Sequence, residues 1–135
     1  MKKTITFIYF LIAISFFSCS DDDVDTSERL IGEWILIEEQ VGETVNDLSE
    51  CRATSTASFT SDYSYTFIYY TGDPGACVIL NNQTGTWEKS GANTYFFEPV
   101  AGAPGSAKAT FEGDTVILLF DDLAPALKVT YRRID

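Results

Sequence analysis

From Leu30 onward, runs of five to nine β-branched and aromatic residues alternate with turn residues at intervals of about ten, and no long stretch repeats every 3.6 residues. A chain patterned this way has no long helical stripe to bury, so it must fold as antiparallel strands. The clearest strand is Tyr63-Ser64-Tyr65-Thr66-Phe67-Ile68-Tyr69-Tyr70, with rings at 63, 65, 67 and 69 on one face and smaller side chains mostly on the other. Gly72-Asp73-Pro74-Gly75 then breaks it. Further strands are predicted over 33–41, 53–60, 76–81, 84–89, 94–98, 106–112, 115–120 and 127–134, several joined by short turns such as Glu112-Gly113-Asp114. The expectation is eight or nine short strands.

Val116 to Phe120 is apolar on both faces, so the sheet must pack against something or curl until its outer face is partly covered. Closure into an up-and-down barrel also removes the exposed edges. Eight strands enclose just enough room for packed side chains or one small ligand, and residues 29–135 suffice for such a barrel with short loops. Pro99-Val100-Ala101-Gly102-Ala103-Pro104-Gly105 has no strand character and reads as a plain connection, with a lid as the other reading.

The first eighteen residues read as an address. Lys2 and Lys3 precede thirteen mostly apolar residues, Ile5 to Phe17, and then Ser18 and Cys19, which is the layout of a secretory signal peptide. The apolar run falls short of the roughly 20 residues that cross a bilayer. Phe16-Phe17-Ser18-Cys19 resembles a bacterial lipobox, which implies that Cys19 becomes an acylated N-terminus carrying chains such as palmitate. Several acyl chains on one residue anchor stably where a single chain is marginal. Ser20-Asp21-Asp22-Asp23-Val24-Asp25 resembles the export signal of surface lipoproteins, and residues 19–28 read as an acidic tether. The implied location is the outer membrane, displayed at the cell surface, with the periplasmic face as the alternative.

Cys51 and Cys77 are left as an even pair in a chain bound for an oxidising compartment, and they are expected to form a disulfide. Closing that loop is worth about 3 to 4 kcal/mol in the chain-entropy model. A metal site would need further soft ligands, and the wide spacing of the two cysteines is unlike a Cys-x-x-Cys redox motif.

Charge and composition narrow the function. Nine Lys and Arg against twenty Asp and Glu give a net charge of −11, the wrong sign for a nucleic-acid surface. The chain has no histidine, which removes the commonest general base and zinc ligand. Glu38 and Glu39 would face opposite sides of a strand, and Asp121 and Asp122, with Asp114 across a hairpin, read as solvated surface rather than as a Ca²⁺ site or a glycosidase pair. No catalytic residue, metal or cofactor is expected, and the chain does not read as an enzyme.

Leu30-Ile31-Gly32-Glu33-Trp34-Ile35-Leu36, then Cys51, the strand Tyr63–Tyr70, Cys77 and Gly85-Thr86-Trp87 together resemble the small lipocalin-like lipoprotein domains of bacteria. The resemblance spans residues 29–135 and implies that Gly32 and Trp34 open the first strand while Arg132 or Arg133 of the last strand packs over the indole. Arg133 shares the parity of Leu127, Val129 and Tyr131 and is the preferred partner. The implied function is a non-catalytic binding module holding a small apolar ligand against Tyr63, Tyr65, Phe67 and Tyr69. Two alternatives remain open at this stage. One is an inhibitor of lysozymes or proteases that uses its acidic surface to attract a basic partner. The other is an accessory subunit of an envelope complex. A cavity of about 300 Å³ or more favours the ligand, whereas a filled interior favours a surface role.

Overall fold

A computed structural model describes residues 26–135; the leader, Cys19 and the acidic run from Asp21 to Asp25 lie outside them. A short helix, α1 (Thr26–Leu30), leads into β1 (Gly32–Val41), β2 (Thr44–Asn46), β3 (Thr56–Phe59), β4 (Ser64–Thr71), β5 (Val78–Lys89), β6 (Thr94–Pro99), β7 (Gly105–Glu112), β8 (Thr115–Phe120) and β9 (Leu127–Arg133). Each strand from β3 to β9 pairs antiparallel with the next, and β9 returns to β1 from Trp34↔Arg133 to Val41↔Leu127. The result is the all-β, closed antiparallel barrel that the strand count implies. Eight strands form the ring, because β3 takes only the first half of one β1 edge, Gly32 to Ile35. The ninth, β2, folds back on the remainder, Glu39 to Val41.

Several predicted boundaries move. The strands expected at 76–81 and 84–89 are one strand, because Asn81-Asn82, which look like a turn in sequence, continue the ladder as Tyr69↔Asn81 and Ile68↔Asn82. The strand expected over 53–60 opens instead with a 3-10 turn, Arg52–Thr54, and only Thr56–Phe59 pairs. The sequence pattern carried no signal for β2 or α1, and α1 takes in residues 26–28 of the stretch read as tether. The first half of β5 outruns the sheet on one side. Only Gly85 to Lys89 pairs with β6, so Val78, Ile79 and Leu80, more than half exposed, sit on an open edge.

The interior is built from rings set beside small residues. Trp34 pairs across the ladder with Ala57 and Tyr95 with Ala107, so each large ring faces a position that leaves it room. Phe59 contacts Phe67 and Trp87 edge-on, at centroid distances of 5.6 and 6.1 Å, a preferred geometry for aromatic pairs. Cys51 and Cys77 form a disulfide that ties the turn before β3 to the β4–β5 connection.

One end of the barrel is shut by α1 and by a contact between the first and last strands. Leu30 is fully buried, and the Trp34 indole N–H donates to its carbonyl at 2.9 Å. The Arg133 guanidinium lies 4.3 Å from the centre of the Trp34 ring and donates to the carbonyls of Ile31 and Arg29. A Cβ on Gly32 would stand 2.2 Å from that guanidinium, and Gly32 has φ +144°. The Gly-x-Trp spacing therefore has a local cause: the glycine makes the space in which an arginine can lie on the tryptophan two residues later.

A candidate ligand site at the barrel mouth

The opposite end is formed by the end of β4, the ends of β6 and β8, and the starts of β7 and β9. A cavity of about 260 Å³ opens there, walled by Tyr65, Phe67 and Tyr69 of β4, Phe97 of β6, Phe120 of β8 and Leu127 of β9. Strand alternation explains the three β4 residues, since positions 65, 67 and 69 point inward together. Gln83 joins them because it pairs with Phe67 and so shares its face. The segment predicted as a plain connection supplies part of the wall, through Pro99, Ala103, Pro104 and Gly105. Asp122 stands at the rim, where its carboxylate accepts the Ser106 backbone N–H at 3.3 Å.

Tyr63 does not belong to this set. It precedes β4 in a turn with φ +65°, which breaks the alternation, and it is 56% exposed. Its ring lies 5.2 Å from Trp87 and helps line a larger depression of about 530 Å³. That depression is bordered by Thr86, Glu88, Phe96 and Glu98, the outward residues of β5 and β6, so it lies outside the barrel. Trp87 itself is buried and its indole N–H donates to the Ser64 carbonyl.

Polar groups line one side of the mouth. The pairing of β1 with β9 slips between Leu36 and Glu38, a bulge that sets Glu39, not Glu38, opposite the buried Val129. Glu39 therefore turns inward, where it forms an ion pair with Arg52. The Arg52 guanidinium lies 4.4 Å from the centre of the Tyr69 ring. The Tyr69 and Tyr131 hydroxyls share a hydrogen bond at 3.0 Å. Burial raises the pKa of both: Tyr131 is held well above its ordinary value by burial and by its neighbour Tyr69, and Tyr69 is raised by burial against the opposing bond from Tyr131. Sequence reasoning missed Glu39 and Arg52 as a pair, because two adjacent glutamates give no sign of where a bulge will fall.

Tyr65 differs from these. The residue is 2% exposed, burial raises its pKa, and its hydroxyl has no hydrogen-bond partner among the described residues. Asp114 is likewise not where a shared acidic site would need it. It lies in the turn before β8, whereas Asp121 and Asp122 follow the other end of that strand, about 20 Å away at ~3.3 Å per residue. Asp121 pairs instead with Lys108, whose hydrogen bond lowers its pKa.

A family model for the lipocalin-like domain matches residues 30–117, about two thirds of the chain. The match begins at the buried Leu30 and ends within β8, so β9 and Arg133 are placed by the structure alone. No curated protein matches the sequence significantly. A closed eight-strand antiparallel ring, shut at one end beneath a Gly-x-Trp and matched by that model over most of its length, makes this chain a member of the lipocalin-like domain family.

Proposed function

We propose that this protein is a lipid-anchored, non-catalytic binding module of the outer membrane that holds a small apolar ligand in the mouth of its barrel. The observation that carries the reading is the cavity of about 260 Å³, somewhat smaller than the size set out above as favouring a ligand, but walled in part by the rings of Tyr65, Phe67, Tyr69, Phe97 and Phe120 and open at one end of a barrel whose other end is shut. The anchor rests on the leader, on Ser18-Cys19 and on the acidic stretch that follows, which together favour acylation of Cys19 and display at the surface. Family membership supports ligand binding by analogy of fold.

The test is native mass spectrometry of the protein extracted from membranes, beside Leu127→Trp, which places an indole in the cavity. A small mass that accompanies the wild type and is missing from the variant is expected. Absence of any such mass, together with no binding of neutral aromatic or aliphatic compounds, would overturn the reading. For the anchor, Cys19→Ser should move the protein from the membrane fraction to the soluble one. Retention in the membrane would refute acylation at Cys19.

A further inference from the structure

We propose that the depression of about 530 Å³ on the outer face of β5 and β6 is a second binding site, separate from the mouth cavity, that takes the alkylated ammonium head of a small organic cation. The head lies against the rings of Phe96 and Tyr63, between the carboxylates of Glu88 and Glu98.

The ladder between β5 and β6 fixes the layout. Glu88 stands directly opposite Phe96 and Thr86 opposite Glu98, and all four alternate with the buried Trp87, Tyr95 and Phe97, so they share the outward face. Phe96 therefore has one glutamate across the ladder and another two residues along its own strand, each about 5 to 7 Å away between Cβ atoms. Its ring face attracts a cation, and the two carboxylates beside it add charge of the matching sign. Neither glutamate forms an ion pair with a described residue, unlike Glu38, Glu39 and Asp121. Lys89 also borders the depression, but it stands opposite the buried Tyr95 and so lies on the inward side of β5.

Tyr63 brings the second ring. Its φ of +65° is rare for a tyrosine and is held by two backbone bonds: its N–H donates to the Thr60 carbonyl at 3.1 Å, and its carbonyl accepts the Trp87 N–H at 2.8 Å. That turn takes the ring out of the barrel interior, where strand parity would set it, and leaves it at the border of the depression with more than half of its surface open. Two rings and two carboxylates around one hollow select for a charged organic group. An anion is repelled on a chain of net charge −11. A bare divalent ion needs about six oxygens, and no group of three His, Cys, Asp or Glu suited to one occurs among the described residues. A guanidinium is a flat fork that pairs with one carboxylate at a time, whereas a compact ammonium presents its charge to both carboxylates and to the ring together.

The experiment is calorimetric titration of the full-length protein in polyoxyethylene micelles, with empty micelles as the blank, using choline and its uncharged isostere 3,3-dimethylbutan-1-ol. Choline should bind about tenfold more tightly than the alcohol, and its affinity should fall as salt is raised. Phe96→Leu, which keeps the bulk and removes the ring, should weaken choline by about threefold or more, and so should the double variant Glu88→Gln with Glu98→Gln. Leu127→Trp, which fills the mouth, should leave choline binding unchanged. In micelles doped with phosphatidylcholine, competition with added choline identifies a lipid headgroup as the source of the ammonium, and lack of competition identifies a free solute. Equal binding of the alcohol, undiminished choline binding in either outer-face variant, or its loss in Leu127→Trp overturns the proposal. Failure of choline to bind the wild type does the same and leaves the binding role of the mouth standing.

Discussion

Gly32, Trp34 and Arg133 illustrate how single residues divide one task. Gly32→Ala drives a methyl into the place of the Arg133 guanidinium, while Arg133→Ala uncovers the indole. Each is expected to cost about 1 to 3 kcal/mol in urea melts, and the double variant should cost clearly less than the sum, since both break one contact. In the core, Phe67→Ala should cost about 3 to 5 kcal/mol, because that ring is 4% exposed and touches several others. Ile68→Ala, on the outer face of the same strand, should cost less than half as much; the reverse order would mean that β4 is facing the wrong way. Tyr65→Phe removes a hydroxyl that has no partner among the described residues and should leave the ligand-free protein as stable as the wild type or up to about 1 kcal/mol more so, whereas Tyr131→Phe, which strips a partner from Tyr69, should cost about 1 kcal/mol. Thermal melts of the two variants separate these outcomes. At this scale parity was legible for Tyr65, Phe67 and Arg133. It failed at Tyr63, where a positive φ precedes the strand; it held for Glu38 and Glu39, which face opposite sides, but could not say which of them turns inward, because a bulge resets the count.

Among the elements, the disulfide joins two loops on the mouth side and so bears on both stability and site. Reduction, or replacement of Cys51 and Cys77 by Ser, should lower stability by about 3 to 4 kcal/mol, measured as the shift in urea midpoint with and without reductant. Arg52 follows Cys51 directly, so the same change should loosen its hold on the Tyr69 ring. An unchanged midpoint would show that the loop is pinned by its packing alone. The pairing itself could be read from cysteine count and compartment. The length of β5 could not, because Asn-Asn is a common turn dipeptide and only the ladder with β4 shows that the strand runs through it.

For the molecule as a whole, pH is the most direct probe of the interior. Tyr65, Tyr69 and Tyr131 all hold their protons more firmly in the fold than the ordinary phenol value of about 10, chiefly through burial. Below that value both folded and unfolded chains are protonated and the contribution to stability is complete. As pH rises past 10, the unfolded chain sheds protons that the barrel retains, so stability falls. Phenolate absorbance followed with circular dichroism should show a delayed group of tyrosines ionising together with loss of the fold; ionisation of all tyrosines near 10 with the barrel intact would contradict this. Barrel closure was legible from the number and spacing of strands. The cavity was not, because its volume depends on where the 99–105 segment lies and how far the lower rings fill the ring of strands.

The joining of β1 to β9 also governs when the barrel can form. Arg133 bonds to the carbonyl of Ile31, 102 residues earlier, and every strand between must be laid down before that partner exists. Contacts so distant along the chain make folding slow, since the entropy of closing a long loop is spent before the contact is gained. A nascent chain of this kind stays open through nearly all of its synthesis, a thread that can still be passed through a narrow channel, and becomes a barrel only when its last strand is free to meet its first.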